Sequence, residues 1–107
     1  MNIPTLDELS LLHQQICTAV GDPKRIQILY ALHEQPMHVS ALADLLGMPQ
    51  PTVSRHLGIL RERSLVINER EGATVIYRVR DTRIIDVLDT MRQVLRGVLE
   101  TRASKLT

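Results

Sequence analysis

The chain has 107 residues, of which 44% are hydrophobic and 23% charged, which suits one folded domain and excludes a disordered chain. A single cysteine excludes an internal disulfide, and two tyrosines as the only aromatic residues exclude a base-stacking platform. The formal net charge is +1, but residues 55–83 hold seven arginines against four acidic residues, which indicates either an anionic partner or an ordinary solvated surface of mixed charge.

The composition also bears on where the protein acts. No apolar run reaches the roughly eighteen residues that a membrane span needs. The first residues lack the basic start and apolar stretch of a signal peptide. We therefore expect a cytoplasmic protein with no membrane partner, organised as one domain over residues 1–107.

The first helical pattern covers about residues 6–20 and is ended by Gly21. Asp22 and Pro23 then start a second helix that reaches about His33, because aspartate caps free N–H groups and proline is tolerated in the first turn. The apolar stripe of the first helix consists of Leu9, Leu12, Ile16 and Val20.

Two shorter helices follow, separated by a tight turn. Ser40 is predicted to cap a helix over residues 41–46, which Gly47 closes. Gln50 is predicted to cap the next helix, over residues 51–64, with a proline at its first position. This second short helix has a buried apolar face and an outward polar face.

After these helices the spacing of the hydrophobic residues changes from that of a helix to alternation at every second residue. This predicts strands over residues 66–70 and 74–80 that pair as a hairpin. A last helix is expected over residues 82–102, with the apolar spacing of a heptad pattern. Its apolar positions are Ile84, Leu88, Met91, Leu95 and Val98.

This order of elements predicts a mainly α winged helix-turn-helix fold, in which residues 40–64 are the helix-turn-helix and residues 65–80 a small two-stranded β wing. A core this small cannot easily bury the stripes of both terminal helices. We therefore expect a two-fold dimer made by these helices, while packing of both stripes inside one subunit stays the alternative. The predicted interface residues are Leu9, Leu12, Ile16, Leu88, Met91, Leu95 and Val98.

Four segments in this order resemble the ArsR family of winged-helix bacterial repressors. They are GDPKRIQIL at 21–29, SALADLLG at 40–47, QPTVSRHL at 50–57 and VIYRV at 75–79. The resemblance extends over about residues 6–100. It implies a cytoplasmic homodimer that binds a palindromic double-stranded DNA operator as a repressor and is released by an effector.

The resemblance fails at the metal sites of the family. Many metal-sensing members carry paired cysteines at the start of the third helix, where this chain has His38 and Ser40. Other members place Asp and His ligands on the last helix, whereas residues 81–107 contain no His and no Cys. We therefore predict no metal ion and no other cofactor, and the effector stays unidentified.

The helix over 51–64 has the polar residues that a major groove about 12 Å wide requires. Arg55 is expected to contact a base or a phosphate, since arginine with guanine is the commonest specific pairing. For His56, packing against the wing stays an alternative, and Arg61 and Arg63 either contact phosphate or pair with nearby glutamates. The predicted DNA contacts are Gln50, Thr52, Ser54, Arg55 and His56 on the helix, with Arg70, Thr74 and Arg78 positioning the wing.

Cys17 admits three interpretations: a small buried residue near the subunit seam, half of a metal site with His13, or a thiol that responds to oxidants. The sequence contains no phosphate-binding loop, nucleophile motif or paired catalytic carboxylates, so we do not expect an enzyme. Besides a repressor, or its redox-responsive variant using Cys17, a winged helix that binds protein without an operator stays open.

Overall fold

The computed structural model describes residues 1–106, so Thr107, the last residue of the predicted domain, lies outside the described residues. The described chain contains helices α1–α5 and one antiparallel sheet of two strands. Helix α1 runs through Leu6–Leu12, a π-helical segment at His13–Cys17, and Thr18–Val20. The other elements are α2 (Pro23–Glu34), α3 (Val39–Leu46), α4 (Gln50–Glu62), β1 (Val66–Glu71), β2 (Thr74–Val79) and α5 (Arg83–Leu106).

Two of the predicted helix boundaries are confirmed by cap geometry. The carboxylate of Asp22 accepts a hydrogen bond of 2.8 Å from the backbone N–H of Lys24 at the start of α2. Gly47 ends α3 in the left-handed conformation, with φ of +64°. The start of α3 was predicted wrongly: His38 is the cap, and its Nδ1 accepts from the N–H of Ser40 at 3.1 Å.

The start of α4 also differs from the prediction. The helix begins at Gln50, and Pro49 occupies the capping position without a side-chain hydrogen bond, so Gln50 is not the cap. The backbone of Pro49 is extended (φ −58°, ψ 138°), as is usual for the residue that precedes a helix. Pro51 lies in the first turn of α4, where a proline is tolerated.

The wing is a tight hairpin that is attached to the helix-turn-helix. Its strands pair in one register from Val66 opposite Val79 to Glu71 opposite Thr74, which leaves a two-residue turn. The segment before α3 joins β2, because Met37 and Tyr77 exchange backbone hydrogen bonds of 3.1 and 2.8 Å.

The core is aliphatic and lies between α2, α3, α4, the start of β1 and the first turns of α5. Tyr30 on α2 donates a hydrogen bond of 2.6 Å to Asp89 on α5, which fixes the first half of α5 against α2. The largest fully buried side chains are Ile28, Leu29, Leu32, Leu42, Val53, Leu57, Leu60 and Val66.

Leu88, predicted to lie in a dimer interface, belongs to this core. It is 2% exposed within the single chain, because the stripe of α5 turns inward at Ile85 and Leu88 to pack against the core of its own subunit. Leu88 is therefore removed from the predicted interface.

Two apolar faces remain uncovered, one on α1 and one on α5. The alternative in which both stripes pack inside one subunit is therefore wrong, although Ile16 is half-buried. No helix within residues 1–106 is both long and apolar enough to cross a membrane. The large exposed apolar residues on the two helices are Leu6, Leu9, Leu11, Leu12, Val87, Met91, Val94, Leu95, Val98 and Leu99.

Candidate nucleic-acid interface

Helix α4 separates a buried apolar face from an outward polar face, as its sequence predicts. Val53, Leu57 and Leu60 are fully buried, which fixes the rotation of the helix about its axis. The outward face is exposed near the N-terminus of the helix, where backbone N–H groups favour an anion. The exposed residues of α4 are Gln50, Pro51, Ser54, Arg55, Gly58, Arg61 and Glu62, and Thr52 is half-buried.

Gly58 leaves an open patch in the middle of this face. A Cβ atom placed on Gly58 would meet no heavy atom within 4 Å, so no neighbour in the described chain requires the glycine. Glycine in a helix interior is about 1 kcal/mol less favourable than alanine. Its presence here therefore fits a surface that another molecule approaches closely.

His56, predicted as a DNA contact, is not available for one. It is 4% exposed, and its Nδ1 lies 3.3 Å from Nη1 of Arg25 on α2, so its ring is directed into the subunit. Burial lowers the pKa of His56 below its usual value. The helical spacing of His56 from Val53 and Leu60 places it on the buried face, and this signal could have excluded it.

The tip of the wing presents the predicted polar contacts. Arg70 and Thr74 are exposed beside the turn. Arg78 is half-buried and paired with Glu69, with its Nε 3.2 Å from a carboxylate oxygen. The ion pair partly neutralises Arg78, so the free positive charge of the hairpin tip is that of Arg70.

No carboxylate within residues 1–106 forms an ion pair with Arg63, so its predicted pairing with a nearby glutamate is wrong. Its guanidinium donates a hydrogen bond to the carbonyl of Gln14, and Nε2 of Gln15 donates to the carbonyl of Arg63 at 2.9 Å. Arg63 therefore joins the end of α4 to the π-helical segment of α1. Arg61, two residues earlier, is exposed.

The candidate effector residues form no metal cluster in the part of the chain that the structure describes. No group of three or more His, Cys, Asp or Glu side chains is placed to hold a metal ion there. Cys17 is exposed in the π-helical segment, so it is not buried within the subunit. The ring of His38 and the hydroxyl of Ser40, at the positions of the family's paired cysteines, bond to each other at 2.7 Å.

Comparison with known proteins gives matches that include the helix-turn-helix. A family model described as bacterial regulatory protein, arsR family, matches residues 22–68. The transcriptional regulator NmtR of Mycobacterium tuberculosis is 38% identical over 71 residues, which are 66% of this chain and 59% of that protein. The matched stretches span between 55% and 62% of the first curated relatives' own length.

Solved structures share the fold over most of the chain. The crystal structure of Rv0081 from Mycobacterium tuberculosis has a TM-score of 0.79 and 31% identity, over 89% of this chain and 96% of that one. The homodimeric winged helix-turn-helix DNA-binding domain Mb0332 of Mycobacterium bovis has a TM-score of 0.72 and 28% identity, over 90% and 91% of the two chains. These likenesses confirm the predicted fold class.

Proposed function

Because this chain belongs to the bacterial ArsR family of regulatory proteins, we propose that it is a sequence-specific transcriptional repressor that binds a palindromic DNA operator as a homodimer. One observation carries the proposal: the exposed polar end of α4, with Gln50, Ser54 and Arg55, lies on a fold shared with a DNA-binding domain. The family relatives are named as regulators and not as enzymes.

In this proposal α4 reads bases in the major groove and the wing contacts the backbone. The exposed N-terminal turn of α4 combines hydrogen-bonding side chains with free backbone N–H groups, which suits base edges and phosphates respectively. The wing supplies positioning contacts, with its acidic residues limiting its net charge. The proposed contacts are Gln50, Thr52, Ser54 and Arg55 on α4, and Arg70, Thr74 and Arg78 on the wing.

The second subunit would cover the apolar faces of α1 and α5. A two-fold axis between these faces would place the two copies of α4 in successive major grooves about 34 Å apart. The proposed interface residues are Leu9, Leu12, Ile16, Met91, Leu95 and Val98. An effector that binds preferentially to a dimer with differently spaced reading helices would cause the protein to release the operator. We expect the protein to act in the cytoplasm.

Binding to random duplex DNA tests this function against that of a protein-binding winged helix. We expect measurable affinity for a random labelled duplex at low salt, with log affinity falling linearly in log salt at about 0.9 per phosphate neutralised. Fluorescence anisotropy at several salt concentrations gives the slope. A protein that ignores the duplex at low salt would instead favour the protein-binding function.

A further inference from the structure

Arg25 joins three elements of the subunit through one side chain. Its Nε donates to the carbonyl of Ala19 at 2.6 Å and its Nη2 to the carbonyl of Thr18 at 3.1 Å, both at the end of α1. Its Nη1 lies 3.3 Å from Nδ1 of His56 on α4. The side chain is 14% exposed and is also 3.9 Å from Asp22. The guanidinium therefore connects the first helix to the helix that would read DNA.

The contact with Arg25 determines the tautomer and the protonation state of the His56 ring. A guanidinium has only donors, so Nδ1 of His56 must accept, and the neutral ring carries its proton on Nε2. Nε2 is buried and has no hydrogen-bond partner within residues 1–106. A second proton would place an N–H on Nδ1 against the N–H of Arg25, which removes the hydrogen bond and opposes two positive charges.

The charges around His56 favour the neutral ring. Arg25 and Lys24 on α2 and Arg55 on α4 repel a second proton, while Asp22 before α2 attracts it. Burial opposes the charged form further and is the largest cause of the lowered pKa of His56. The end of α1 contributes no charged group to this contact; it contributes the backbone carbonyls of Thr18 and Ala19, which accept hydrogen bonds from Arg25.

A second connection joins the same two helices at the other end of α4. Nε2 of Gln15 in the π-helical segment donates to the carbonyl of Arg63, and the guanidinium of Arg63 donates to the carbonyl of Gln14. The carbonyl of Gln14 also accepts from the hydroxyl of Thr18 at 2.7 Å, which is a substitute for a regular helical bond. Helix α4 is thus tied to α1 both in its middle and at its end.

We propose that Arg25 and His56 form a positioning joint that sets the orientation of α4 relative to α1. This inference rests on the proposed function, because α1 would lie in the subunit interface and α4 would read the operator. A change in the packing of α1 against the second subunit would then pass through Arg25 to the reading helix. The joint holds only while His56 is neutral.

The first test replaces Arg25 with lysine, which keeps the charge but carries all its N–H donors on one nitrogen and so cannot reproduce the planar fork that reaches α1 and α4 together. We expect the Arg25→Lys protein to stay a dimer and to bind random duplex DNA as the wild type does, but to lose about tenfold in operator affinity. The control is Arg102→Lys, an equally conservative change at an exposed arginine of α5. Unchanged operator affinity in Arg25→Lys would overturn the joint and leave the proposed function intact.

The pH profile gives a readout that loss of packing alone would not produce. Wild-type operator affinity is expected to fall as pH drops through the pKa of His56 in the folded protein, which burial holds below the usual histidine value of about 6.5. His56→Asn keeps an acceptor near the position of Nδ1 without a titrating ring, so its affinity should lose this pH dependence. His56→Leu, without an acceptor, should bind the operator more weakly than the wild type above the pKa of His56 and should show no such pH dependence.

The two measurements together decide the inference. If Arg25→Lys fails to fold, as judged by its thermal transition, the comparison of wild type with His56→Asn still tests the joint. A wild-type operator affinity that stays flat as pH falls to the point where the protein unfolds, or an identical decline in His56→Asn, would contradict it. Loss of random-duplex binding by the wild-type protein itself would instead contradict the proposed function.

Discussion

Replacing Leu95 with aspartate is expected to convert the dimer into a monomer and to abolish operator binding. Leu95 is 54% exposed in the single chain and shares its face of α5 with Met91 and Val98. In a two-fold dimer each substitution would place two carboxylates in an apolar seam, where each unpaired charge costs several kcal/mol. A single subunit then presents one reading helix, which makes too few contacts for stable specific binding.

Sedimentation at micromolar concentration measures the effect on assembly, and anisotropy with the operator measures the effect on binding. Met91→Asp should behave in the same way. Leu45→Asp is the control for the assembly measurement, because Leu45 is an exposed leucine on α3, outside the proposed interface. A wild-type protein that sediments as a monomer, or a Leu95→Asp dimer with full affinity, would refute the proposed interface.

Truncating Arg55 to alanine is expected to weaken operator binding by about 1–3 kcal/mol while the dimer stays intact. Arg55 is exposed on the outward face of α4, and no carboxylate within the described residues forms an ion pair with it. Its removal therefore breaks no ion pair of the folded subunit, and it takes away a charge that repels a proton on His56 and so only makes the neutral ring easier to lose. At neutral pH the loss of operator affinity would therefore come from the DNA contact.

The comparison for Arg55→Ala is Arg102→Ala, which removes the same charge from the last turns of α5, far along the chain from α4. Titration of both variants against the operator and against random duplex separates a base contact from a phosphate contact. A base contact lowers the operator affinity preferentially, whereas a phosphate contact lowers both and reduces the salt slope. Equal operator affinities for Arg55→Ala and the wild type would remove Arg55 from the interface.

The local features of the fold were predictable because they depend on neighbours in the sequence. Asp22 and Gly47 act within one helical turn, and the periods of α4 and the hairpin select their buried faces. The cap at His38 was missed because histidine is not among the residues that commonly cap helices, although the backbone of His38 is extended (φ −73°, ψ 154°) as at an ordinary N-cap. The sequence pattern contains no signal for that backbone conformation.

The longer-range features were not predictable from one sequence. Leu88 lies on an apolar stripe of α5 that contributes both to the core of the subunit and to the uncovered face. The sequence does not indicate at which residue of the stripe the core ends and the uncovered face begins. The hydrogen bond from Gln15 to the carbonyl of Arg63 joins residues 48 positions apart. His56 was assigned to the DNA contacts for its polarity, although its helical phase places it with the core. Polarity misled the prediction because a buried histidine is stabilised by a distant partner, Arg25.

Selection from a library of random DNA duplexes tests the central claim most directly, because it asks whether two copies of α4 read DNA together. The account predicts that the recovered duplexes share a palindrome whose half-sites are centred about 10–10.5 base pairs apart, each duplex binding one dimer. Recovered sequences with no two-fold symmetry, or no enrichment over the starting library, would contradict it.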